Sequence, residues 1–150
     1  MKTNKIFSAL FLFLIQFSFT SNASDLVVEE FGTAPAYSSI NAAVTAAVDG
    51  DRILIRNRAG NIPWIENINI SKSLELLSYD NDTFFVVQGL YTLDAAAGRN
   101  ITIIGMKNLS GGITAGNSTG ANKACNVNIF DSYFTLGNIS LNANVFNTTI

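Results

Sequence analysis

One pattern constrains this chain more than any other: aliphatic residues in pairs, one residue apart, returning at intervals along its length. The pairs are Ile53/Ile55, Ile68/Ile70, Leu74/Leu76, Ile101/Ile103, Val127/Ile129 and Ile139/Leu141. Side chains two positions apart in extended backbone share a face, so each pair marks a strand with one side turned inward. Three pairs occur in nearly the same phrase, Asn100-Ile-Thr-Ile, Asn126-Val-Asn-Ile and Asn138-Ile-Ser-Leu. A short strand repeated in this way, with Asn and Gly at its ends, points to strands stacked in a coil.

Spacing separates this architecture from its rival. Ile53 to Leu74 is 21 residues, Leu74 to Ile101 is 27 and Ile101 to Val127 is 26, within the roughly 20–50-residue period of solenoids. The shorter step to Ile139 places that pair on another strand of the same coil. A β-sandwich of hairpins would need several Asn-Gly or Asp-Gly turns. The one such dipeptide, Asp49-Gly50, follows a helical stretch. A lone coil cannot cover its inward face, but stacked coils bury those faces as aliphatic ladders, each Ile or Leu contributing about 1.5–3 kcal/mol. The expected fold class is therefore all-β, a parallel β-helix with a short N-terminal capping α-helix.

That helix is expected over 37–48, where Ile40, Ala43, Val44 and Ala47 form one stripe at helical spacing. Ser38 or Ser39 supplies an N-cap and Asp49-Gly50 a stop. Its apolar stripe suits it to close the open end of the stack, an edge that must be covered. Strands are expected over 25–31, 52–56, 66–70, 73–78, 83–88, 100–106, 111–114, 126–130, 133–136, 138–142 and 144–147. Phe84-Phe85 and Tyr133-Phe134 should each send one ring inward and one outward. Gly116 to Asn122 reads as a protruding loop. The recurrent Asn suits corners, because Asn tolerates left-handed backbone and bonds locally, and stacked Asn side chains can pair between coils.

The N-terminus reads as an address. Lys2 and Lys5 precede the apolar run Ile6–Phe19, and Ser21-Asn22-Ala23 offers small residues for cleavage after Ala23. The run is shorter than the roughly 20 residues of a spanning helix. The expected organisation is a signal peptide at 1–23 and coils of the β-helix at 24–150, with no membrane span in the mature chain and a secreted or cell-surface location. Because the chain stops at Ile150 inside a strand pattern, further coils are expected beyond it.

Charge and composition exclude several functions. The chain has 9 basic and 11 acidic residues; without Lys2 and Lys5 the net charge is −4. There is no basic patch for nucleic acid. Arg52, Arg56 and Arg58, the one basic cluster, fall on the outward positions of a strand and read as solvated surface. Cys125 is the sole cysteine, so no intramolecular bridge forms, and it is expected to be buried as a small apolar residue. The Asn-x-Ser/Thr triplets at Asn69, Asn81, Asn100, Asn108, Asn117, Asn138 and Asn147 arise readily in an Asn-rich strand protein and are not read as glycosylation sites.

The stretch from Ser38 to Ser78 resembles the opening of right-handed parallel β-helix proteins of the pectin lyase-like superfamily. It carries the helix, the strand Arg52-Ile-Leu-Ile-Arg56, and the phrase Glu66-Asn-Ile-Asn-Ile-Ser-Lys72-Ser-Leu. Gly60…Trp64-Ile65-Glu66 is similar to the Gly-x-Tyr-x-Glu element of pectinesterases, with one extra residue and Trp for Tyr. The resemblance implies the fold, a polysaccharide or cell-surface glycan as partner, and pectin-type lyase or esterase chemistry if the protein is an enzyme. The catalytic phrases of pectinesterases and polygalacturonases are absent, and with no His a Gly-His-Gly element is impossible. No catalytic residue is assigned.

Two sites remain as candidates. Trp64, the only tryptophan, would stack on a sugar ring if exposed; the alternative is packing beneath the helix or along the first coil. Asp80 and Asp82, in an Asp-Asn-Asp turn, offer hard oxygen ligands of the kind that suit Ca²⁺, though two carboxylates are few for that ion; no other cofactor is implied. The leading functional expectation is an exported scaffold segment of a polysaccharide-directed or cell-surface protein without a complete catalytic site. The alternatives are the front part of a pectin-type lyase or pectinesterase whose site lies past residue 150, and a non-catalytic surface adhesin.

Overall fold

The computed structural model describes residues 22–94, 98–116, 125–141 and 145–149. The leader expected at 1–23 and the loop expected at 116–122 lie almost wholly outside these residues. The chain runs β1 (Asp25–Val28), α1 (Ile40–Ala46), β2 (Arg52–Ile55), β3 (Trp64–Ile65), β4 (Ile68–Ile70), β5 (Leu74–Ser78) and β6 (Phe85–Leu93). It continues through β7 (Asn100–Ile104), β8 (Met106–Ala115), β9 (Cys125–Phe130), β10 (Tyr133–Phe134), β11 (Gly137–Leu141) and β12 (Val145–Thr149). Strands of successive coils lie side by side and parallel, forming a β-solenoid of about 4 turns.

One face is the sheet β1-β2-β5-β7-β9-β12. Its register aligns Leu74 with Ile101 and Val127, and Leu76 with Ile103 and Ile129. All six are buried, which is the ladder that the spacing predicts. The first step differs: Ile53 lies beside Leu76 rather than Leu74, so the first coil is two residues longer than the dyad spacing suggested. Asn126 donates through Nδ2 to Asn100 Oδ1 at 2.7 Å, pairing the two coils as expected. Asn138 does not join them, because β11 lies in the other sheet beside β8.

The remaining faces come from a bend within long strands. β3 and β4 both pair with β6, while β10 and β11 both pair with β8. β6 and β8 therefore turn a corner without ending, which the sequence reading split into shorter strands. Gly89 and Gly111 make the corner possible. Both have positive φ (150° and 110°), and a Cβ on Gly89 would collide with the Glu66 carbonyl, one on Gly111 with the Gly89 carbonyl. Asn108, 1% exposed, completes the corner: its Nδ2 donates to Gly89 O at 3.0 Å and its Oδ1 accepts from Ser110 N at 3.1 Å.

Helix α1 covers the N-terminal end of this interior. Ser39 caps it, its hydroxyl accepting from Ala42 N at 3.1 Å, and Ile40, Ala43, Val44 and Ala47 are all buried. The helix ends at Ala46 with Ala47 as its C-cap, earlier than the Asp-Gly stop. Seven residues are too few for a helix to persist in water unaided, and the first coil supplies the missing support. Glu66 accepts from Ile40 N at 3.0 Å and Asn41 N at 2.9 Å. Lys72 Nζ donates to Val44 O, Thr45 O and Ala47 O at 3.1, 3.0 and 2.6 Å. An anion at the positive end and a cation at the negative end both favour the helix dipole.

The arginine cluster has a structural role on the outer surface. Arg52 pairs with Asp25 at 3.0 Å, Arg56 with Glu29 at 3.3 Å and Arg58 with Glu30 at 2.9 Å. The Arg56–Glu29 approach is an ion pair without hydrogen-bond alignment, since Arg56 Nε has no hydrogen-bond partner; its guanidinium instead stacks 3.4 Å from the Tyr79 ring centre. Cys125 is buried, and Phe85 points inward while Phe84 is exposed, both as the sequence implies.

Candidate functional site

Two clefts gather the candidate residues, one at each sequence-predicted position. The larger, about 560 Å³, lies where the β5–β6 turn meets the β7–β8 corner. Asp80, Asn81 and Asp82 come from that turn, Gly105 from the corner, and Asp131 from the β9–β10 connection. The floor is apolar: Leu77 and Ile104 sit side by side on the outward face of the first sheet, with Phe130 next in the row. Phe84 forms an exposed wall.

Hydrogen bonds fix the acidic turn. Thr83 Oγ1 donates to Asp80 O at 2.8 Å and shares a 2.9 Å hydroxyl contact with Ser78 Oγ. Asp82 and Asp131 both adopt left-handed backbone, φ 61° and 45°, a conformation Asp tolerates better than most residues. The cleft thus offers carboxylate and amide acceptors beside an aromatic ring. Asp131 reaches it from a distant coil, which no local signal reveals. Among the described residues no group of three or more His, Cys, Asp or Glu is arranged to hold a metal ion. Asp80 and Asp82 lie in one turn, and Asp131 shares their cleft.

The second cleft, about 350 Å³, contains Trp64. Trp64 is only 5% exposed. Its indole Nε1 donates to Arg56 O at 3.1 Å, and the Arg58 guanidinium lies 5.4 Å from its ring centre. The residue packs along the first coil and presents little ring face for stacking. Phe31 and Ile65 instead carry the exposed apolar surface of this cleft, at 86% and 68%. Glu30, Ser38, Arg58 and Glu66 supply its polar lining.

Local structure explains Phe31. Glu29 to Gly32 form a tight turn closed by Gly32 N donating to Glu29 O at 3.0 Å. Phe31 is the third residue of that turn, at φ 61°, where glycine or asparagine is usual. The loop is held at its base by Glu29 N to Tyr37 O at 3.0 Å and Tyr37 N to Val27 O at 2.8 Å. Beside the ring, Arg58 donates from Nε and Nη2 to Glu30 Oε1 at 3.2 and 2.9 Å, and Ala59 N donates to Glu30 Oε2 at 3.2 Å. The Arg58 hydrogen bonds, then the Ala59 amide, hold the Glu30 carboxyl below its ordinary value of 4.5, so it stays an acceptor in mildly acidic solution.

Phe31 was expected to end the strand over 25–31, but β1 stops at Val28 and the Gly32 N to Glu29 O bond folds Phe31 into a turn instead. Its one signal is a bulky residue directly before the glycine of a turn. The described residues contain no helix long and apolar enough to cross a membrane. No protein-family model, curated protein or solved structure matches the chain.

Proposed function

We propose that this chain is an exported β-solenoid scaffold segment of a polysaccharide-directed or cell-surface protein, holding glycans without turning them over. The observation that carries the reading is the composition of the two clefts. Each sets an exposed phenylalanine beside carboxylate, amide or hydroxyl groups on a rigid coil stack. Sugars have apolar C–H faces and hydroxyl edges, so a ring beside acceptors matches both. Glycoside hydrolysis needs two carboxyl groups facing each other across the bond. Asp80 and Asp82 belong to one turn and Asp131 comes from another coil, and the reading assigns these carboxylates to holding hydroxyl groups.

The likeness of Ser38–Ser78 to pectin lyase-like proteins supports polysaccharide direction. Its charged landmarks, Glu66 and Lys72, are spent on holding helix α1, so the phrase speaks for the fold rather than for a reaction. The test is affinity electrophoresis of the folded chain in gels containing neutral and acidic plant and microbial polysaccharides. Retardation by at least one polymer, with no unsaturated or de-esterified product, is the expected result. Unretarded migration in every gel overturns the reading; turnover of polygalacturonate or pectin replaces it with the enzyme alternative.

A further inference from the structure

We propose that the cleft between the Glu29–Gly32 turn and strand β3 is a subsite for a neutral pyranose, with Phe31 as its stacking platform. The inference rests on the glycan reading above and adds the residue that binds and the class of sugar bound.

Three observations converge. Phe31 adopts left-handed backbone at φ 61° while leaving its ring 86% exposed. Such a conformation is a genuine outlier for a bulky side chain, and burial gives nothing back to the fold here. Backbone strain of this kind persists only where the surroundings impose it, and it clusters at functional positions. The surrounding hydrogen bonds, from Gly32, Glu29 and Tyr37, impose it.

Across the cleft, Ile65 at 68% exposure makes a second apolar wall. The volume, about 350 Å³, falls at the small end of the roughly 300–1,000 Å³ range of ligand pockets. That suits one sugar residue of a chain rather than a long groove.

The polar lining selects the sugar. Glu30 and Glu66 against Arg58 leave one net negative charge. Glu30 already accepts from Arg58 and Ala59, and Glu66 from Ile40 and Asn41. A carboxylate has about four acceptor sites, so each keeps a lone pair for a sugar hydroxyl. The Arg58 guanidinium is already committed to Glu30 and to Pro63 O at 3.2 Å, so it is not available as a clamp for an incoming carboxylate. A uronic acid would meet like charge without compensation. A neutral hexose or pentose would meet acceptors for its hydroxyls and a ring for its C–H face, whose partial positive charge the π-face attracts.

The test measures binding of cellohexaose, xylohexaose, galactohexaose and hexagalacturonic acid by calorimetry, using the full chain and three variants. Phe31→Gly removes the ring and relieves the left-handed strain together. It should weaken binding of the preferred neutral hexasaccharide about tenfold, equivalent to about 1.4 kcal/mol, while raising the melting temperature. Phe31→Tyr should retain binding, and Leu136→Ala, an exposed apolar side chain that lines neither cleft, should leave this affinity unchanged. Loss of affinity alongside a gain in stability is a split that a purely structural Phe31 cannot produce. Unchanged affinity in Phe31→Gly, or an equal loss in Leu136→Ala, overturns the subsite and leaves the glycan reading standing. A preference for hexagalacturonic acid also overturns it. Absence of binding to all four oligosaccharides and to every polysaccharide in the gel assay overturns both.

Discussion

Replacing Lys72 with Met tests how the solenoid is closed. The Nζ of Lys72 reaches three carbonyl oxygens in the last turn of α1 and just beyond it. Met keeps most of the aliphatic stem and removes the charge and the donors. A hydrogen bond from a charged group contributes about 1.5–3 kcal/mol, and a cation at a helix C-terminus about 0.3–1 kcal/mol at a surface position. Lys72 is half-buried and Thr45 is exposed, so water replaces part of what is lost, and the three bonds do not simply add. The expected destabilisation is about 2–3 kcal/mol. The upper bound is set by detachment of the helix, which would uncover Ile40 and Val44 at about 1.5–3 kcal/mol each. Urea denaturation at neutral pH reads the change as a lower midpoint at constant slope. Amide exchange should accelerate first at Ala43 and Ala47, whose N–H groups donate to Ser39 O and Ala43 O. A midpoint shift worth less than about 0.5 kcal/mol, the range of ordinary surface substitutions, with unchanged exchange in the helix, would refute the clamp.

Three other perturbations have definite expected outcomes. Gly111→Ala should destabilise by at least about 3 kcal/mol, because its Cβ meets the Gly89 backbone at positive φ; a urea midpoint equal to wild type would remove the corner argument. Burial raises the Tyr91 hydroxyl above its ordinary value of 10.0, with the nearby Glu66 charge adding to the effect. The folded state therefore holds that proton more tightly, so its contribution is complete below pH 10 and is lost as pH rises beyond it. Tyr91→Phe should flatten that alkaline loss in denaturation series. It should also stabilise at neutral pH by about 1 kcal/mol, since the hydroxyl is buried without a hydrogen-bond partner; a less stable variant would contradict this. Glu30, held low by Arg58, contributes stability above pH 4.5 that is lost as pH falls through its folded value. Glu30→Gln should reduce the acid sensitivity of unfolding, and an identical acid limb would show the pair to be inert.

The parts of this architecture that could be read from sequence are those governed by local period. Leu74/Leu76, Ile101/Ile103 and Val127/Ile129 follow a two-residue alternation, and burial on one face follows from it directly. Helix α1 was equally legible, from Ser39 as cap to the four residues of its stripe. Ile139/Leu141 is the weaker case: Ile139 is half-buried and Leu141 exposed, because β11 has only β8 as a described neighbour. What escaped the reading depends on contacts between coils. Gly89 and Gly111 look like strand breaks in one dimension, but in three they let one carbonyl approach the next and carry the strand around a corner. Glu66 and Lys72 stand in one phrase of sequence, yet what they do depends on the helix that lies between them. Trp64 packs along the first coil, one of the two places its sequence allows, while Phe31, at the end of the expected strand 25–31, carries the exposed ring in a turn. Asp131 joins Asp80 and Asp82 in one cleft although nearly fifty residues separate them in sequence.

The stacking of like-directed coils underlies every cleft and every functional statement. It is tested most directly by nuclear Overhauser contacts in isotopically labelled protein. The account predicts interstrand contacts that link Leu76 to Ile103 and Ile103 to Ile129 in ascending register, with no close Hα–Hα pairs between these strands. Strong Hα–Hα contacts joining strands adjacent in sequence would mean antiparallel hairpins, and would contradict the account at its root.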